Sequence, residues 1–358
     1  MHDVTLFIKK RIQLVEKPAC AILAIGCRKS PVTPTTASHL YRSVVLSKLM
    51  YGCEVMEIPN TALMQLESFH ANKAKNFQAL PEQTTNIGAV KAIGWTSMKV
   101  NIDVARLAFL WRILTLPVNC VYKSVLITRY VQLIYGDNKM CCGPLWQTLV
   151  TAQKYGLLDA VKEAIESGYY MCIMEWKKLV KSKVIERETR TWRIQGKIFS
   201  SLKTTYKSTA PYKMSSWWVF VHKNPIYMWK CVDILRLTLG VHKLNTVLFR
   251  YKNNTTDSPL CQLCELYECE TVPHLLLRCL KFEDIRNVLW ANVVSKCPSK
   301  SLLELLLLKN DEVVTQLLLT GFNNAYVPEW TEFFEAIAMF VSNIYKERLY
   351  VTNGTNDK

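Results

Sequence analysis

The stretch CQLCELYECETVPHLLLRC, Cys261–Cys279, limits what this chain can fold into more than any other segment. It places four thiols and one imidazole within nineteen residues. The spacing is Cys261-x2-Cys264-x9-His274-x4-Cys279. A Cys-x2-Cys gap folds back tightly and offers two thiolates to one edge of a tetrahedron. A second pair then completes a structural site for one Zn²⁺ with no open position. Pro259 precedes the first knuckle, and Thr271 is placed to cap a short helix that begins near Pro273 and carries His274 in its first turn. His274 and Cys279 are five apart, about 140° round a continuous helix. The helix must therefore end, tighten or bend before Cys279, and a loop-borne Cys279 is the simplest solution. Three thiolates and a neutral imidazole on Zn²⁺ leave a net charge of about −1, which the neighbouring Arg278 and Lys281 can offset. Cys269 is a spare thiol in a loop with Glu265, Glu268 and Glu270, and a candidate substitute ligand. Two other readings stay open, buried free cysteines and a disulfide pair. A catalytic zinc is disfavoured, because the fourth position is filled and no general base stands out.

The remaining cysteines bear on the choice. The chain of 358 residues has 13, mostly single and in apolar contexts, such as Cys20, Cys53, Cys120, Cys172 and Cys231. No secretory signal is legible at the N-terminus, so this is a reduced, intracellular pattern, nuclear or cytoplasmic and not secreted. No run of roughly 18 apolar residues occurs, so no membrane span is expected.

Charge points to the partner. Lys and Arg number 45 against 29 Asp and Glu, a formal net charge of +16. A polyanion is the default partner for such a chain, RNA or DNA before an anionic membrane surface. The charge is concentrated: Lys177–Lys230 holds 13 basic residues and two acids, Glu186 and Glu188. Candidate phosphate contacts are Lys177, Lys178, Lys181, Arg187, Arg190 and Arg193, with Arg278, Lys281 and Arg286 presented by the knuckle. Glu186, four residues before Arg190, competes for it. Trp192, Trp217 and Trp218 are candidates to stack on unpaired bases. The plainer readings are a solvated helix face for the lysines and core anchors for the tryptophans.

Elsewhere the periodicity is helical. Leu40, Tyr41, Val44, Val45 and Leu49 share a stripe stopped at Gly52. Leu63, Leu66, Phe69 and Phe77 share another that ends before Pro81, and 101–116 is apolar on nearly all sides. Turn signals stand at Gly136-Asp137-Asn138 and Gly143-Pro144. Phe282, Ile285, Leu289 and Val293 form an amphipathic stripe, and Leu302–Leu308, Val313–Leu319 and Phe333–Leu349 continue in the same manner. The tail after Val351 reads as polar and frayed. Strand is compatible only near Thr246–Tyr251. The expected fold class is mainly α.

Several stretches in order resemble the C-terminal part of reverse transcriptases from LINE-type (non-LTR) retrotransposons. They are Leu40-Tyr41 with Val44-Val45 and Leu49-Met50-Tyr51-Gly52-Cys53-Glu54; Leu80-Pro81 with Thr84-Thr85; and Ile93-Gly94-Trp95 followed by Ile102, Leu107, Phe109, Leu110 and Ile113-Leu114-Thr115-Leu116-Pro117. Leu235-Arg236-Leu237, Leu239-Gly240 and Leu244 follow, then Cys261, Cys264, Glu270-Thr271, His274-Leu275-Leu276, Cys279 and Arg286. The resemblance covers about residues 4–130 and 215–295. Ser47 stands where that family commonly has Pro, and Met56 where it has Trp. The resemblance implies a thumb/connection-like helical region at 1–130, a basic helical linker at 131–214, a CCHC zinc-knuckle region at 215–296, and C-terminal helices and tail at 297–358.

Polymerase chemistry needs paired carboxylates to hold two metal ions. The family carries them as Asp-Asp, and this chain has no Asp-Asp pair. The expectation is a non-catalytic, nucleic-acid-binding portion of such a protein, without enzymatic activity. The alternative is a zinc-stapled helical scaffold that meets a protein partner through its leucine-rich C-terminal helices.

Overall fold

The structure, a computed structural model, describes residues 4–27, 32–135, 142–198, 213–250, 256–307, 310–321 and 327–354. It is mainly α. Among the described residues there is no strand, only an isolated antiparallel bridge between Leu260 and Cys269. The chain forms two compact units, each drawn from three stretches.

The first unit comprises Met1–Ile22, Leu40–Lys73 and Thr96–Trp192. In the Val4–Ile22 helix, Ile8, Val15, Ala19 and Ile22 are buried, at helical spacing on one face. That face packs against Tyr41–Leu46 and Ser47–Met50. Tyr41, Val45 and Leu49 point inward, but Val44 is exposed. Tyr41–Leu46 is a π turn, wider than an α turn, and it keeps a spacing of four on one side while rotating Val44 outward. The Met98–Leu114 helix is buried on most sides, as its composition implies. Ser97 caps it by accepting the Val100 N–H. It lies against the Val121–Tyr135 and Gly143–Lys154 helices. Trp111 stacks on Trp176 with ring centroids 4.0 Å apart. Each indole N–H finds a carbonyl, Met171 at 3.0 Å and Leu107 at 2.9 Å. Leaving such a donor buried and unmatched would cost about 1–3 kcal/mol.

His70 is also buried in this unit. Its Nε2 lies 2.9 Å from the Thr96 carbonyl and its Nδ1 2.9 Å from the Tyr41 hydroxyl. A carbonyl only accepts, so Nε2 carries the proton and Nδ1 accepts from Tyr41. Burial lowers the His70 pKa to about 4.

The second unit comprises Leu23–His39, Ala74–Trp95 and Arg193–Lys358. Its long helix, Thr331–Gly354, buries Phe333, Phe334, Ile337, Phe340, Val341 and Ile344. It packs against Met228–Thr238 and Glu283–Ser295. The helix continues past Val351, where the sequence reads as frayed. Trp217 donates to the Leu319 carbonyl and Trp218 to Gln78 Oε1, both at 2.8 Å. Gly94 has a φ of +73°, and a Cβ there would stand 2.7 Å from the Met214 backbone N. The Ser215 N–H donates to the Ala92 carbonyl at 2.9 Å, so the 213–215 segment runs directly over this glycine.

Asn245–Leu248 is a short helix, not the strand compatible with Thr246–Tyr251; its first residue is held by a buried carboxylate described below. Among the C-terminal leucines, Leu302, Leu306, Leu318 and Leu319 are core residues, whereas Leu305 and Leu307 are exposed. Gly136-Asp137-Asn138, Tyr251 and Leu308 lie outside the described residues. No helix among the described residues is long and apolar enough to cross a membrane.

Candidate metal centre and basic surface

The metal-ligand loop is built by local hydrogen bonds. The Cys261 N–H donates to the Glu268 carbonyl and the Glu270 N–H to the Pro259 carbonyl, each at 2.8 Å. These bonds fold the Cys-x2-Cys knuckle back on the chain that leads to His274. Thr271 Oγ1 accepts the His274 N–H at 3.3 Å, the expected cap. His274–Arg278 is then a π turn. The Cys279 N–H donates to the His274 carbonyl, five residues back, at 2.7 Å. A π turn takes roughly 4.4 residues, so five residues return Cys279 to within about 50° of His274. Cys279 itself has left the helix, with ψ of 119°. The angular problem in the sequence is thus solved by widening the turn and ending it there.

Cys261, Cys264, His274 and Cys279 bring their ligand atoms within 4.8 Å of one another. Cys261 Sγ is 3.9 Å from Cys279 Sγ, and Cys264 Sγ is 3.5 Å from His274 Nε2. A tetrahedral ion at ordinary Zn–S and Zn–N distances requires edges of about 3.8 Å for S···S and about 3.6 Å for S···N. Both measured edges fit. Cys261, His274 and Cys279 are buried and Cys264 is half-buried. Cys269 is exposed and outside the set.

The packed thiols and imidazole move one another's protonation away from the ordinary values. The hydrogen bond with Cys279 pulls the Cys261 thiol well down against its burial. Its bond to Cys261, followed by burial, pushes Cys279 far up. The hydrogen bond to Cys261 lifts His274 to about 9 against its own burial, with Glu268 adding to the rise. Packed thiols and an imidazole share protons to limit like-charge crowding. The four groups could hold a metal ion in place of those protons.

Around the cluster lies a layer of residues that spacing alone does not reveal. Glu268 Oε2 is 3.0 Å from His274 Nδ1, which leaves Nε2 for the metal and fixes the ring. Arg278 holds Glu268 at 3.1 Å and Asp311 at 2.9 Å. Arg286 donates to the Cys279 carbonyl at 2.9 Å. Glu270, fully buried, accepts from Arg348 Nε and Nη2, both at 2.8 Å, and from the Asn245 N–H at 2.6 Å. Asn245 Nδ2 donates onward to the Leu260 carbonyl at 2.8 Å, next to the first ligand. Glu270 was legible only as a motif residue beside Thr271. Its partner Arg348 lies 78 residues away, and no local pattern points to it.

The basic candidates divide by environment. Lys177, Lys178, Lys181, Arg187, Arg190 and Arg193 are all exposed on the Ile173–Ile198 helix. Its opposite face buries Trp176, Val180 and Val184. Arg190 pairs with Glu186 at 2.6 Å, the expected competition, and Arg187 donates to the Lys154 carbonyl at 2.8 Å. Trp192 is 2% exposed and Trp217 and Trp218 are 0% exposed. The expectation that these rings stack on bases is therefore corrected. Their spacing puts them on core faces, a direction that interleaving with lysines in the sequence conceals. Lys281 is exposed, whereas Arg278 and Arg286 are engaged in holding the metal loop.

No protein-family model, no curated protein and no solved structure matches this chain.

Proposed function

We propose that the chain is a non-catalytic nucleic-acid-binding module, stapled by one structural Zn²⁺ and related to the C-terminal part of LINE-type reverse transcriptases. The observation that carries this reading is the Cys261–Cys264–His274–Cys279 set, with its ligand atoms within 4.8 Å, two of its edges at tetrahedral length and a carboxylate on the far nitrogen of its histidine. Three thiolates with one imidazole suit Zn²⁺ better than a hard cation such as Mg²⁺. When bound, the ion supplies a cross-link between the knuckle, the π turn and Cys279. This chain's residues do the rest: Glu268 orients His274, while Arg278 and Arg286 balance and anchor the loop.

Contact with RNA or DNA falls to the exposed cations. Lys177, Lys178 and Lys181 occupy the first half of their helix, and Lys177 and Lys181 share a face. Arg193 and Lys281 are exposed as well. Such contacts release counterions, so affinity must fall with salt. Each single-strand phosphate contact contributes about 0.7 to the slope of log K against log salt. Fluorescence anisotropy with a labelled single-stranded RNA tests this, with the triple variant Lys177→Gln, Lys178→Gln, Lys181→Gln expected to lower the slope by about 2. Absence of binding at low salt, or an unchanged slope in the triple variant, refutes the nucleic-acid reading. The metal reading is tested separately. One zinc per purified chain and loss of helicity on chelation are expected, and a zinc-free protein indifferent to chelator refutes it.

A further inference from the structure

The first unit contains a cleft of about 380 Å³ between the segment at Glu57–Leu63 and the Met98–Leu114 and Gly143–Lys154 helices. That volume suits a molecule of mononucleotide size. Ile102 and Trp146 supply part of its apolar wall. Three cations line it, Lys99, Arg106 and Lys154, against two carboxylates, Glu57 and Asp103. Their charges are not equally matched. Asp103 is neutralised where it stands, with Lys154 Nζ at 2.6 Å and the Tyr155 hydroxyl at 3.0 Å.

Arg106 is 9% exposed, and its guanidinium makes one hydrogen bond among the described residues, from Nη2 to the Met56 carbonyl. No carboxylate oxygen among the described residues comes within ion-pair distance of it. A guanidinium has five N–H donors in a planar fork, shaped for two oxygens of one anion. Asp103 and Glu57 attract Arg106 only at longer range, and the donors not used by Met56 reach solvent at the cleft, where an anion can replace the water on them. Lys99, exposed on the same cleft, adds a second positive charge.

We infer that this cleft binds a small organic anion. Its single phosphate or carboxylate meets Arg106 and Lys99, and its flat or apolar body lies against Ile102 and Trp146. Glu57 and Asp103 restrict the head to low charge, so a triphosphate is disfavoured. The same chemistry is offered by a free metabolite and by the phosphorylated end of a nucleic-acid strand. The inference does not depend on the metal centre or on the lysines of the Ile173–Ile198 helix.

Titration calorimetry and tryptophan fluorescence on the zinc-loaded full chain, with AMP and 1-naphthoate as probes, test it. At least one probe should saturate, and adenosine and ATP should each bind at least tenfold more weakly than AMP if AMP is the binder. Arg106→Met should weaken the bound probe at least tenfold. Lys99→Met, at an exposed position where the fold is not at stake, should weaken it several-fold. A 5′-phosphorylated trinucleotide that competes with the probe identifies a strand end as the source. Its failure to compete identifies a free ligand, and both results keep the site. No saturable binding of either probe at millimolar concentration, or a Lys99→Met variant with unchanged affinity, overturns the inference.

Discussion

Replacing Arg348 with Met removes one half of the buried pair that ties the metal loop to the long C-terminal helix. The Arg348 side chain is 5% exposed and that of Glu270 2%. Arg348 gives Glu270 two hydrogen bonds of 2.8 Å and gives Asn245 Oδ1 a third at 3.2 Å. After the substitution, Glu270 keeps the Asn245 N–H but loses its only cation within ion-pair distance among the described residues. Breaking a buried pair from one side typically costs about 3–5 kcal/mol, because the remaining charge is uncompensated. A loss of that size is a large share of the roughly 5–15 kcal/mol that holds a domain folded. Urea unfolding of the chain with zinc supplied, followed by tryptophan fluorescence and circular dichroism, measures it. The double variant Arg348→Met, Glu270→Leu removes both charges and should be more stable than Arg348→Met alone, a coupling of about 1–3 kcal/mol between the two sites. If the proposed zinc site is filled, chelator should also strip the ion faster from Arg348→Met, since Asn245 and Leu260 lose their anchor beside Cys261. If the single variant unfolds within about 1 kcal/mol of the parent, or if the two substitutions add, the pair does not hold the loop.

Two further outcomes follow from local chemistry. His70 and His242 are both buried, and burial lowers each to about 4 from an ordinary 6.5; nearby arginines add to the effect at His242. Between pH 6.5 and 4 the unfolded chain takes up protons that the folded chain refuses. The stability contributed by each ring is complete above pH 6.5 and is lost as pH falls toward 4, up to about 3 kcal/mol per ring. Melting temperature should drop across that window, and His70→Asn should flatten the drop; an equal slope in the variant refutes the assignment. Gly94→Ala combines an unfavourable φ with a Cβ only 2.7 Å from backbone, whereas Gly156 has a φ of +66° and open space. Gly156→Ala should cost about 1–2 kcal/mol for the backbone alone, and Gly94→Ala about 1–3 kcal/mol more for the overlap. Equal melting temperatures for the two variants would remove the case for close packing at Met214.

The helical stripes were readable wherever the period stayed at 3.6. The Met98–Leu114 helix and the Leu66, Phe69 and Phe77 face are core, as their spacing implies. Reading failed where the period changed. Val44 left its stripe because Tyr41–Leu46 is a π turn, and the same device at His274–Arg278 rescued a spacing that an α helix could not accommodate. Composition also could not separate the two uses of an aromatic residue. Trp192 sits among cations along the chain, yet it is buried.

The candidate ligand set lay within reach of the linear chain, because its four donors fall within nineteen residues; that they converge depended on the π turn at His274–Arg278. The net positive charge and its concentration between Lys177 and Lys230 were equally local. What holds the loop to the rest of its unit was decided only in three dimensions. Glu270 meets Arg348 and Arg278 meets Asp311 across long separations in the chain, and these pairings settle which arginines are consumed in holding the structure. Charge and spacing belong to the sequence; solvent exposure and long-range pairing are properties of packing, and only the folded chain assigns them.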